Sequence, residues 1–113
     1  EEYEWLAYCY ILCRDGGVPL VYTDLNPSGI LNHQGQPRWQ NAWQDPQMQH
    51  LIYFHNYVHG ERMAVLEASD DHLLFQRGDK GLVAINKSDQ IKSARIRWNK
   101  NMFDLIQNQP IRA

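Results

Sequence analysis

Pro19-Leu20-Val21-Tyr22-Thr23 is a short run of apolar and β-favouring residues between turn signals, and its reading decides the fold. Continuous apolarity without alternation is the pattern of a strand covered on both faces, as in a parallel sheet. Such a strand needs a neighbour on each side. Upstream, Trp5, Leu6, Cys9, Leu12 and Cys13 recur at helical spacing over Tyr3 to Cys13, and Ala7, Tyr8, Tyr10 and Ile11 make the other side apolar too. That predicts a helix buried on more than one face. Asp15-Gly16-Gly17 and Pro19 end it, because glycine accepts the left-handed backbone that closes a helix and proline cannot extend one.

Downstream, Leu25 to Gln44 is rich in Asn, Pro, Gly and Gln and lacks periodicity, which predicts a long loop of the kind that carries function. Asp45-Pro46 supplies an N-cap and a proline at the first helical position. Met48, Leu51, Ile52, His55 and Val58 follow three and four apart, predicting an amphipathic helix that ends at Gly60. After Gly60 the period becomes strand-like. Met63 to Ala68, His72 to Gln76 and Leu82 to Asn86 are β-type runs separated by Ser69-Asp70-Asp71 and by Gly78-Asp79-Lys80-Gly81, which predicts an antiparallel meander. The alternation of Ile91, Ser93, Arg95 and Arg97 with Lys92, Ala94, Ile96 and Trp98 predicts a further strand.

One parallel-type strand has no partner in this order of elements. Residues 1–60 are therefore expected to end an α/β domain whose other strands lie elsewhere, and residues 61–113 to begin an all-β domain. Within its 113 residues the chain is 43% hydrophobic and 21% charged, the composition of an ordinary globular domain. With 11 Lys and Arg against 13 Asp and Glu the formal charge is -2, so nothing basic argues for nucleic acid or an anionic membrane as partner. No apolar run approaches the roughly 20 residues of a membrane-spanning helix. The chain opens at Glu1 rather than Met, so its start is expected to have been removed by processing or truncation, and the missing signal-peptide pattern says nothing about compartment.

The residues themselves offer little catalytic chemistry. Asp70-Asp71 sits in a turn, where Asp serves local hydrogen bonds. His55 and His59 stand four apart, with His50 nearby, but Asn56 occupies the place of the glutamate in a His-Glu-x-x-His motif and no third ligand is evident. Cys9 and Cys13 share a helix face in poor geometry for bonding each other and read as small core residues. No serine elbow or phosphate-cradling loop is present. Asp24 follows the buried strand, and Arg38, Trp39 and Trp43 lie in the long loop, where tryptophan also serves as a large packing residue.

Trp5-Leu6-Ala7-Tyr8-Cys9-Tyr10-Ile11-Leu12-Cys13-Arg14-Asp15-Gly16-Gly17-Val18-Pro19-Leu20-Val21-Tyr22-Thr23-Asp24 resembles the end of the catalytic barrel in α-amylases of glycoside hydrolase family 13. Leu51-Ile52-Tyr53-Phe54-His55-Asn56 with Gly60-Glu61 is similar to their last barrel helix. Leu74-Phe75-Gln76-Arg77-Gly78-Asp79-Lys80-Gly81-Leu82-Val83-Ala84-Ile85-Asn86-Lys87 is similar to the opening hairpin of their C-terminal domain. The resemblance covers about residues 3–90. It implies the last βα unit or units of a (β/α)8 TIM barrel over residues 1–60, followed by an incomplete antiparallel β-sandwich, domain C, over residues 61–113.

The resemblance further implies retaining hydrolysis of α-1,4-glucosidic bonds in starch and maltooligosaccharides, with the catalytic carboxylates outside this chain. It places Asp24, Tyr22, Arg38 and Trp39 as substrate-binding candidates. Calcium is expected in the parent family but bound outside this segment, with no cofactor or metal expected in this chain. The expected partners are α-glucan and either the remainder of the barrel or a second copy, and the expected location is extracellular or periplasmic. The alternative is a non-catalytic module that binds α-glucan or a protein.

Overall fold

The computed structural model describes residues 2–21, 31, 33–36, 44–98, 100–107 and 109–111. Helix α1 spans Glu2–Cys13 and α2 spans Pro46–Tyr57. Strands β1 (Met63–Ala68), β2 (His72–Arg77) and β3 (Gly81–Asn86) form an antiparallel sheet in the order β1-β2-β3. The short strands β4 (Met102–Asp104) and β5 (Gln109–Ile111) pair separately.

Each element begins and ends for local reasons. The Asp45 carboxylate accepts a hydrogen bond from the Gln47 backbone N–H at 2.8 Å, and Pro46 has no N–H to leave orphaned at the first helical position. Gly16 and Gly17 follow α1 with φ of +74°, the left-handed backbone that glycine adopts without a Cβ penalty. Strand β1 carries a bulge at Leu66, where the register passes from Val65 opposite Phe75 to Glu67 opposite Leu74.

The helices pack against each other and against the sheet. Leu12 and Cys13 of α1, Met48 and Leu51 of α2, Phe75 of β2 and Val83 of β3 form one buried cluster. Trp5, Tyr8, Cys9 and Phe54 pack around it, partly buried. Phe75 is fully buried, and a side chain of that size contributes about 1.5–3 kcal/mol through the hydrophobic effect. The amphipathic reading of α2 has a direct counterpart in Met48 and Leu51, while Tyr53 and Tyr57 stack on the exposed side. Helix α1 buries Leu12 and Cys13, and leaves Tyr3, Ala7 and Ile11, four residues apart, on an exposed apolar stripe.

Two expectations differ from the structure. Of the strand expected over Pro19 to Thr23, residues 19–21 belong to no strand, and Tyr22 and Thr23 lie outside the described residues. Leu20 is 82% exposed and Val18 is 89% exposed, so this run lacks the cover on both faces that its composition calls for. Residues 91–98 also form no strand, although the side chains of Ile96 and Trp98 are half-buried. Ile91 is 96% exposed, and the buried Trp98 indole N–H has no acceptor among the described residues. The physical reason is common to both. Alternation or apolarity prepares a segment for a sheet, but a ladder forms only with a second strand alongside.

The antiparallel sheets fit a C-terminal β domain. Among the described residues, no helix is long and apolar enough to cross a membrane.

Gly81 opens β3 against α2, and a Cβ there would lie 2.6 Å from Phe54 Cζ and 3.0 Å from Val58 Cγ1. Gly81→Ala is therefore expected to destabilise the chain by about 1–3 kcal/mol, the usual cost of overpacking. Urea denaturation measures it, and an unchanged midpoint would show that Phe54 moves aside freely.

Candidate functional site

Tyr22, Asp24, Arg38 and Trp39, the expected sugar contacts, lie outside the described residues, as does Trp43. The structure shows the frame on either side of them. On one side α1 leads to Val21, which packs on the core. On the other, the Asp45 cap starts α2.

That frame is fastened by Arg77, which is 3% exposed. Its Nη1 donates to the Cys13 carbonyl at 2.6 Å and its Nη2 to the Val58 carbonyl at 3.1 Å. Nη2 and Nε also donate to the Glu61 carbonyl at 3.0 and 3.2 Å. Cys13 ends α1 and Val58 is the C-cap of α2, so both carbonyls belong to helix ends that carry partial negative charge. The guanidinium thus has peptide dipoles around it in place of a carboxylate, and its planar fork matches acceptors from several directions at once. Sequence reasoning missed this residue. A signal was present, since Leu73, Phe75 and Arg77 share one face of β2 and an arginine in the register of Phe75 points inward.

The histidines of α2 serve similar ends. His55 Nδ1–H donates to the Leu12 carbonyl at 3.0 Å, and His50 Nδ1–H donates to the Leu105 carbonyl at 2.6 Å. Both rings are therefore held by carbonyls, and among the described residues no three His, Cys, Asp or Glu side chains gather as a metal cluster.

A cleft of about 550 Å³ opens between the start of α1 and the β1–β2 turn, lined by Tyr3, Leu6, Ser69, Asp71, Ile85 and Lys87 among others. The Ser69 hydroxyl donates to Asp71 Oδ1 at 2.9 Å, and His72 Nδ1–H donates to Ser69 Oγ at 2.5 Å. Glu67 lies 3.4 Å from His72 Nε2, and Lys92 Nζ lies 3.4 Å from Asp71 Oδ2. The Ser69 hydroxyl, then His72, then Lys92 hold the Asp71 carboxyl below the usual carboxylate range. A carboxyl kept ionised in this way accepts hydrogen bonds but cannot act as a general acid near neutral pH. The cleft thus offers an aromatic face, the Asp70 and Asp71 carboxylates, the His72 ring and the Lys87 ammonium, an inventory for binding hydroxyl-bearing molecules.

The chain is 36% identical over 115 residues to an alpha-amylase from Aeromonas hydrophila, a match that covers 96% of this chain. It spans only 24% of that relative's length. No family model matches the chain, and no solved structure matches it. The similarity makes the chain amylase-related.

The turn carries a pH dependence of definite sign. Because the Asp71 pKa is depressed in the fold, its contribution is complete above the unfolded value of about 3.9 and disappears as pH falls through the lower folded value. Carboxyl chemical shifts followed by NMR from pH 7 downward are expected to place the Asp71 midpoint below the unfolded value of about 3.9, and Ser69→Ala to raise it. Identical midpoints in both proteins would refute the role given to the Ser69 hydroxyl.

Proposed function

We propose that this chain is the C-terminal portion of an α-amylase-like glycoside hydrolase that cleaves α-1,4-glucosidic bonds of starch and maltooligosaccharides with retention. The observation that carries this reading is identity of 36% along almost the whole chain to an alpha-amylase of which the chain spans about a quarter. In this reading residues 1–60 contribute the end of the catalytic barrel and residues 61–113 begin domain C. The reacting carboxylates, and any calcium, belong to the rest of the protein.

The residues present have positioning roles. Asp24 and Tyr22, at the end of the expected strand, and Arg38 and Trp39 in the following loop border the sugar cleft. Trp39 presents a ring face to a glucose unit, and Arg38 holds hydroxyls or orients a carboxylate. The exposed side chains of Val18 and Leu20 and the stripe of Tyr3 and Ile11 become the surface on which the remainder of the barrel packs. Without it, the same surface favours association with a second copy. An exported enzyme, extracellular or periplasmic, suits a polymeric substrate.

The test compares the full-length protein, the same protein with Trp39→Ala, and the 113-residue chain alone on soluble starch. The full protein is expected to release reducing sugar with retained anomeric configuration. Loss of one aromatic stacking contact is expected to raise KM roughly 2–10-fold with little change in kcat. The chain alone is expected to be inactive. Hydrolysis by the chain alone, or no hydrolysis by the full protein, would overturn the reading.

A further inference from the structure

The cleft between the start of α1 and the β1–β2 turn has one wall fixed in advance. The Ser69 N–H donates to the His72 carbonyl at 2.9 Å and the Lys87 N–H to the Asp71 carbonyl at 2.9 Å, so the turn is closed on itself and tied to the end of β3. Within the turn, the Ser69 hydroxyl and the His72 ring both bond to the Asp71 carboxylate. Groups held in this way lose little conformational freedom when a ligand arrives. The cleft's volume of about 550 Å³ is that of a small-molecule site.

Two charged side chains of this cleft are not engaged. Asp70 and Lys87 both line it, and neither has a side-chain partner among the described residues. Their opposite signs decide which ligand suits them. A free anion would meet the Asp70 and Asp71 carboxylates, and a free cation would meet the Lys87 ammonium. An ionised carboxylate only accepts hydrogen bonds and an ammonium only donates them, whereas a hydroxyl does both. A neutral ligand with several hydroxyls therefore satisfies Asp70 and Lys87 together, through hydrogen bonds strengthened by the protein's charges. Leu73 and Ile85 stand opposite each other in the register of β2 and β3, and with Leu6 they line the same cleft, half-buried. They supply apolar surface for the C–H face of such a ligand.

We propose that this cleft binds a glucose unit of an α-1,4-glucan, with Asp70 accepting from its hydroxyls and Lys87 donating to them. The choice of glucan among neutral polyols rests on the amylase-like reading given above. The site is built from α1, β2, β3 and the β1–β2 turn, and it uses none of Tyr22, Asp24, Arg38 and Trp39.

Maltotriose is the probe, titrated into the folded 113-residue chain while backbone amide shifts are followed by NMR. Shifts are expected to concentrate at residues 69–73 and 85–87 and to saturate with a Kd on the order of 1–10 mM. Asp70→Asn and Lys87→Met change exposed side chains, so the spectrum elsewhere should persist, and each is expected to weaken binding roughly 5-fold or more. No shift at these residues, unchanged affinity in both variants, or equal shifts with glycine, a small zwitterion, would overturn the proposal. Starch hydrolysis by the full-length protein separates this site from the reading it rests on. Hydrolysis with a silent cleft sinks the site and leaves the amylase-like reading standing, whereas a responsive cleft without hydrolysis does the reverse.

Discussion

The buried Arg77 guanidinium is the interaction on which the arrangement of the chain depends. Its donors reach the carbonyls of Cys13, Val58 and Glu61, so one side chain of β2 closes the ends of both helices and the segment that leads into the sheet. Burying a cation without a carboxylate partner would ordinarily be prohibitive. Here the helix C-termini supply the opposing partial charge, and hydrogen bonds of this charge-assisted kind contribute about 1.5–3 kcal/mol each. The apolar cluster of Leu12, Met48, Leu51 and Phe75 then excludes water from around the clamp.

This clamp gives the rest of the chain its meaning. It fixes the C-terminal ends of both helices, and the segment holding Asp24, Arg38 and Trp39 lies in sequence between the exit of α1 and the start of α2. The stripe of Tyr3 and Ile11 on α1 and the side chains of Val18 and Leu20 are exposed. The chain, amylase-related and spanning about a quarter of its relative, is thus fastened within while it keeps an exposed apolar face.

Much of the fold was legible in the sequence because local signals and long-range packing agree. Asp45-Pro46 marked the start of α2, and period-2 runs marked β1, β2 and β3 to within a residue of their bounds. The failures fall where structure depends on a partner. Pro19 to Val21 and Ile91 to Trp98 have strand composition but no strand alongside among the described residues, and composition alone cannot supply one. The short β4 and β5 went unread because three residues with Pro110 and Asp104 carry too little pattern. Of the candidate site, Tyr22, Asp24, Arg38 and Trp39 came from the family resemblance and lie outside the described residues. Arg77 was signalled only by its place on the face of Phe75, and its carbonyl partners are brought together only by folding, whereas the hydrogen bonds of Ser69, Asp71 and His72 are local to the turn that the sequence marked.

The central claim is that one buried guanidinium makes both helices and the sheet a single cooperative unit. The most direct measurement is amide hydrogen exchange on the folded chain and on Arg77→Met, read at the C-terminal turns of α1 and α2 and along β2. Removing the guanidinium from the Cys13, Val58 and Glu61 carbonyls, of which Val58 keeps only the Glu61 N–H, is expected to lower protection at all three places together, by roughly 100-fold or more. A fall confined to the β2–β3 hairpin, with both helix ends unchanged, would contradict it.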